Sequence, residues 1–189
     1  MKKIVFLLIC VILMSGCSVK KVNELSEAEK FAVEFSIDEN NPFEYANVEQ
    51  IIDIFDNGTG IIFFGNSDDE WCVESVKIFN DTVEYKNISE VYYYNPSSIQ
   101  NKNTDEYKKL IEYTKEYLNE DEAGNVDLHT PEIYVVKNGK IINHSNCDID
   151  EIINNSDEED ITDEAAKQLL VDEYLDLINS YVIKEWLSY

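Results

Sequence analysis

The sequence predicts an α/β fold, and three features carry that expectation. Short β-like runs alternate with helix-period runs from Pro42 onward, which favours an α/β arrangement over a bundle or a sandwich. Gly60-Ile61-Ile62-Phe63-Phe64-Gly65 is a continuous apolar run between glycines, the pattern of a central strand buried on both faces. Asn138-Gly139 stands between Ile133-Tyr134-Val135-Val136 and Lys140-Ile141-Ile142, a strong short-range signal for a hairpin.

At the N-terminus, Met1-Lys2-Lys3 precedes the apolar run Ile4 to Met14, which is too short to span a bilayer comfortably. Ser15-Gly16-Cys17 closes the run, and small residues before a cysteine resemble the bacterial lipobox, although Met14 stands where leucine is usual. That resemblance implies a lipoprotein signal peptide over 1–16. It makes Cys17 the acylated first residue of the mature chain, held at the extracytoplasmic side of a bacterial membrane. Residues 17–39 read as the lipidated N-terminus and a polar tether, with Glu24, Glu27, Glu29 and Glu34 and one helical turn around Ala28 to Phe35.

The folded domain is expected over 40–189. Val48, Ile51, Ile52, Ile54 and Phe55 recur at helical spacing and stop at Asn57-Gly58, a C-cap pattern. After the glycine-bounded strand, Asn66-Ser67-Asp68-Asp69 offers N-cap residues before Trp71, Val73, Val76, Ile78 and Phe79, so a helix starts near Asp69. Val91-Tyr92-Tyr93-Tyr94 is the next strand and ends at Asn95-Pro96. Tyr107, Leu110, Ile111, Thr114, Tyr117 and Leu118 mark a long helix, and a polar loop follows from Glu120 to Asp127. Beyond the hairpin, the acidic run Asp157 to Asp160 reads as a solvated lead-in to a terminal helix from Thr162 to Leu187.

Charge excludes several function classes. The 39 Asp and Glu face 15 cations, all of them lysine, for a formal net charge of −24. A surface this acidic, with no arginine to fork onto phosphate, repels nucleic acid and anionic head groups. Its 44% hydrophobic content still supplies a core, so the charge is not a sign of disorder. His129 and His144 are the only histidines and do not stand at ligand spacing, so no metal is expected. No Gly-rich phosphate loop or Ser-His-Asp order is visible, and no cofactor is expected. His129 adjoins Thr130-Pro131 and reads either as the edge of a groove or as a loop residue.

The order β-α-β-α-hairpin-α, with Thr130-Pro131 directly before the hairpin from Glu132 to Ile141, resembles the thioredoxin superfamily. The resemblance implies a central mixed sheet with flanking helices, a cis proline before a C-terminal hairpin, and a C-terminal helix. It also implies that Thr130 and Pro131 border a groove where an extended peptide pairs with the chain. The segment Gly60 to Phe79, a strand followed by a polar turn and Trp71-Cys72, looks like the family's active-site unit. The stretch from Asn41-Pro42-Phe43 to Asn95-Pro96 looks like secreted or lipid-anchored bacterial members, including bacteriocin transport accessory proteins.

One departure matters. Dithiol exchange needs Cys-x-x-Cys, one thiolate to attack and a second thiol to resolve the mixed disulfide, and only Cys72 lies in this region. With Cys72 in the attacking place the motif is Cys72-Val73-Glu74-Ser75, a monothiol after an eight-residue turn from Phe64. With Asp69 in that place it is Asp69-Glu70-Trp71-Cys72 after a five-residue turn, the length the resemblance implies. Asp68, Asp69, Glu70 and Glu74 would raise a nearby thiol's pKa, because like charge opposes ionisation. Cys147, after the hairpin, reads as a surface thiol or the site of an intermolecular disulfide, and pairs with Cys72 only if the fold brings their Cα atoms within about 7 Å. The expectation is a non-catalytic protein that binds an extracytoplasmic polypeptide client, with Asp69, Trp71, Thr130 and Pro131 around the groove. Monothiol exchange with a redox partner through Cys72 is the alternative.

Overall fold

In a β-strand, neighbouring side chains point to opposite faces, so a strand that is apolar at every position must be covered from both sides. In the computed structural model, which describes residues 25–100, 103–120, 123–149 and 162–183, Gly60–Phe64 is such a strand and every residue in it is buried. Residues 1–16, Cys17 and the acidic run 157–160 lie outside the described residues.

The elements are α1 (Glu27–Phe35), β1 (Phe43–Tyr45), α2 (Val48–Asn57), β2 (Gly60–Phe64), α3 (Glu70–Tyr85) and β3 (Val91–Tyr94). They are followed by the single turn α4 (Ser97–Gln100), α5 (Asp105–Thr114), β4 (Glu132–Lys137), β5 (Lys140–Ser145) and α6 (Asp163–Ile183). The sheet order is β1-β3-β2-β4-β5. Strands β1, β3 and β2 run parallel, while β4 is antiparallel to β2 and β5 to β4. The result is an α/β structure, a five-stranded mixed sheet between two layers of helices.

The alternation of side chains divides the core. Ile61, Phe63, Tyr93, Ile133 and Val135 face one layer, where Phe31 and Phe35 of α1, Val76 and Phe79 of α3, and Leu170, Tyr174 and Ile178 of α6 cover them. Ile62, Phe64, Tyr94, Tyr134 and Val136 face the other, under Ile51 and Phe55 of α2 and Tyr107 and Leu110 of α5. Aromatic rings dominate the first layer: Phe31 stacks on Phe43 at 4.1 Å and meets Tyr93 edge-on at 5.0 Å.

The hairpin turn is fastened to the end of α2. Asn138 and Gly139 have φ of 49° and 71°, the left-handed pair of a two-residue turn. Gly139 N–H donates to the Gly58 carbonyl at 2.8 Å, and Asn138 N–H donates to Thr59 Oγ1 at 3.0 Å. A Cβ on Gly139 would lie 2.3 Å from the Asp56 carbonyl oxygen, so the position excludes a side chain on both conformational and steric grounds. Gly139→Ala is expected to lower stability by about 2 kcal/mol, read by urea unfolding; an unchanged midpoint would show that the turn is not held against α2.

The structure corrects the tether. Residues 27–35 form a nine-residue helix with a complete capping box: Ser26 N–H donates to Glu29 Oε2 at 2.6 Å and Glu29 N–H to Ser26 Oγ at 3.2 Å. Phe31, Ala32 and Phe35 are buried, so the folded part begins well before residue 40. Glu34 fixes the helix to the sheet, because its carboxylate accepts the Tyr93 hydroxyl at 2.9 Å and the Tyr45 hydroxyl as well. Of the glutamates that give this segment the look of a tether, Glu27 is exposed, Glu29 closes the capping box and Glu34 bonds inward to tyrosine. Strand β1 has three residues and α4 one turn, both too short to announce themselves by periodicity. Helix α5 ends at Thr114, and Tyr117 and Leu118 lie in the turn that follows.

Candidate functional site

The end of β2 and the start of β4 meet at Phe64 opposite Glu132, and the residues of interest gather at this edge of the sheet. Beyond β2 the chain makes a polar turn in which Asn66 Oδ1 accepts the Asp68 N–H at 3.1 Å. Asp69 is the N-cap of α3, its Oδ1 accepting the N–H groups of Trp71 at 2.8 Å and Cys72 at 3.3 Å. A carboxylate therefore occupies the positive end of the helix, satisfying two amides that would otherwise lack partners. Asp69→Ala removes this cap and is expected to cost about 1 kcal/mol of stability in chemical denaturation; no loss would show that the cap is dispensable.

Cys72 lies within the first turn of α3 and is fully buried. Burial pushes its thiol up to about 11. The Asn66 backbone and the Thr130 side chain, hydrogen-bonded to the sulfur, pull the other way, and the Asp69 charge adds to the rise. The charge argument from sequence has the same sign, but burial is the larger cause. Cys72 is thus a protonated core thiol under the helix tip, in contact with the threonine that precedes the proline.

The Thr130–Pro131 peptide is cis. The approach to it is tied to α4 and α5: Gln100 Nε2 donates to the Leu128 carbonyl at 3.2 Å, and Tyr107 Oη accepts the Leu128 N–H at 3.1 Å while donating to Asp127 at 2.8 Å. On the far side, Trp71 Nε1 donates to the Cys147 carbonyl at 2.9 Å, which fixes the indole across the loop after β5.

Between these walls lies a cleft of about 450 Å³, lined by Trp71, Tyr117, His129, Thr130, Pro131 and Glu132 among others. Three of the four groove residues read from the sequence, Trp71, Thr130 and Pro131, border it directly, and Asp69 acts behind Trp71 as the cap. His129 is exposed and belongs to the lining. Asn119, Asn146 and Asp148 complete its polar rim.

Sequence reasoning misses Glu132 and His144. Glu132 opens β4 and is buried at 2% exposure, yet it is an acid. Its Oε2 accepts the Tyr134 hydroxyl at 3.0 Å and contacts His144 Nε2 from β5. His144 stacks on Tyr134 at 4.7 Å between ring centroids, and Tyr117 lies 5.2 Å from His144. The available signal is a charged residue directly after Pro131 at the head of the apolar run Ile133 to Val136. Strand register brings His144 opposite Tyr134, which sequence spacing alone does not show.

Cys147 is not a surface thiol. It is fully buried, with a left-handed φ of 53°, and its N–H donates to Ser145 Oγ at 3.0 Å. Burial pushes its thiol strongly up. The polar neighbours Asn146 and Asp148 hide this in the sequence, because the left-handed turn sends the cysteine side chain inward between them. Both Cys72 and Cys147 are free thiols.

Among the described residues, no group of three or more His, Cys, Asp and Glu is arranged to hold a metal ion. No helix among them is long and apolar enough to cross a membrane. The arrangement offers a shaped recess with aromatic walls, a buried carboxylate and a threonine–proline edge, and no accessible nucleophilic thiol among the described residues. No protein-family model, curated protein or solved structure matches this chain.

Proposed function

We propose that the protein is a membrane-anchored, extracytoplasmic protein of thioredoxin-like fold that holds an extended polypeptide in the cleft beside Thr130-Pro131 without redox turnover. The observation that carries this reading is the cleft itself, walled by Trp71 and Pro131 while the thiols of Cys72 and Cys147 beside it are both buried. The strand order β1-β3-β2-β4-β5, with the last two strands antiparallel, supports the thioredoxin-like part. Thr130 supplies main-chain groups for pairing with a client strand, and the recess beside it receives a side chain. Thiol exchange asks for an accessible thiolate and a resolving thiol. Here a carboxylate caps the helix and Cys72 is protonated inside the core. Anchoring rests on Cys17 after the apolar leader.

The test uses the full chain in a non-ionic detergent with fluorescent, cysteine-free extended peptides. Cys72→Ala is expected to bind as the unaltered chain does, and Trp71→Ala to bind at least fivefold more weakly. In a parallel incubation with a disulfide-containing peptide, a mixed disulfide trapped at Cys72, with the peptide's other sulfur leaving as a thiol, would overturn the reading in favour of monothiol exchange. For the anchor, labelling with a radioactive fatty acid in a bacterial host is expected to mark the protein and to be lost in Cys17→Ala; labelling unchanged by that substitution would refute it.

A further inference from the structure

We infer that the cleft selects its polypeptide through a basic side chain, lysine or arginine, seated against the Trp71 and Tyr117 rings with its charge turned toward the Glu132 carboxylate. This inference rests on the polypeptide-binding reading of the same cleft.

The lining is matched to such a group. Trp71, Tyr117, Pro131 and Ile149 supply apolar and aromatic surface, Glu132 and Asp148 supply carboxylates, and no lysine stands in the lining among the described residues. An aliphatic stem ending in a cation has the same composition in reverse: the stem packs on rings and the cation is drawn to their faces and to carboxylate.

Both rings are held in place before anything binds. The Trp71 indole is pinned by its bond to the Cys147 carbonyl, and Tyr117, at 37% exposure, rests against His144 and Tyr134. Holding the walls beforehand lowers the ordering cost of binding.

Glu132 is the discriminating group. It is 2% exposed and lines the cleft, and both its bonds, to Tyr134 and His144, fall on Oε2, so neither uses Oε1. A charge as little exposed as Glu132 acts more strongly on an incoming cation than one on the open surface. An acidic or neutral side chain in place of the basic one would leave that carboxylate facing like charge or no charge. The net charge of −24 adds long-range attraction for a basic partner, and salt screens that contribution while the contact inside the cleft persists.

The experiment measures anisotropy of extended peptides carrying a neutral dye, identical except for one central lysine, arginine, norleucine or glutamate. The full chain is used in non-ionic detergent at pH 8, at low and at 300 mM salt. Lysine and arginine peptides are expected to bind at least tenfold tighter than norleucine at low salt and still about fivefold tighter at 300 mM, with glutamate weakest. Glu132→Gln is expected to bring lysine and norleucine within twofold of each other. Tyr117→Leu, on the exposed rim and outside the folding core, is expected to cut the lysine preference at least threefold, and it decides the matter should Glu132→Gln fail to fold. Equal binding of all four peptides would overturn the basic-residue inference and leave the polypeptide-binding reading standing. A preference that vanishes at 300 mM salt, or survives both substitutions, would overturn it as well, assigning the effect to overall charge. Binding of none of the peptides would overturn the polypeptide-binding reading itself.

Discussion

Replacing Phe63 with alanine is expected to lower the unfolding free energy by about 3–5 kcal/mol, a loss well above that expected from removing the α3 cap or crowding the hairpin turn. Phe63 is fully buried in β2, the middle strand of the five. Its ring lies 6.0–6.3 Å from those of Phe35, Phe43, Phe79 and Tyr93, which come from two helices and two strands. With neighbours fixed on so many elements, the site cannot collapse to fill the vacated space, and the cavity cost adds to the lost burial. Urea unfolding reads the change, with Val33→Ala as the control, since Val33 is 74% exposed and its truncation is expected to shift stability by no more than about 0.5 kcal/mol. A loss below about 1 kcal/mol at Phe63 would mean that the aromatic layer is not the core that holds α1 and α3 to the sheet.

Native-state alkylation of Cys72 is expected to run two to three orders of magnitude slower than that of an unperturbed thiol. With the thiol pushed up to about 11, only about one molecule in a thousand carries a thiolate at pH 8, against about a quarter for an ordinary cysteine near 8.5. Burial adds a steric barrier on top of that ratio. Cys147, buried and pushed further up, is expected to react more slowly still, and both are expected to label at ordinary rates in denaturant. Peptide mass spectrometry after timed exposure to iodoacetamide reads each site. Labelling of native Cys72 at the rate of a free thiol would place a thiolate at the helix tip and restore exchange chemistry. The same shift has a sign in stability. The folded state holds a proton that the unfolded chain releases above about 9, so stability is unaffected below that pH and falls as pH rises from about 9 to 11. Cys72→Ala is expected to flatten part of that fall, the remainder coming from Cys147 and from buried tyrosines such as Tyr134 and Tyr174, which are shifted in the same direction.

Local chemistry is what made parts of the fold and site readable beforehand. The run Gly60 to Gly65 can be satisfied only by cover on both faces, Asn138-Gly139 only by a left-handed turn, and Asp69 before Trp71 is a capping residue wherever a helix starts. Local chemistry does not reveal the burial of Phe31 and Phe35, where polar neighbours outweigh two rings in the local average, or of Cys147, whose flanking Asn146 and Asp148 are polar. Glu132 and His144 were out of reach for a different reason. They are twelve residues apart on neighbouring strands and meet through the register of β4 against β5.

Sequence alone therefore determined the α/β class, the central strand, the hairpin, the cap on α3 and the absence of a second thiol at its start, because each depends on residues within a few positions of one another. Tertiary structure decided which layer covers which face of the sheet, that residues 27–35 belong to the core, that both thiols are buried, and that Trp71, Tyr117, Pro131 and Glu132 enclose one recess. Those outcomes depend on strand order and register, which bring together residues far apart in the chain and set how much water each one keeps.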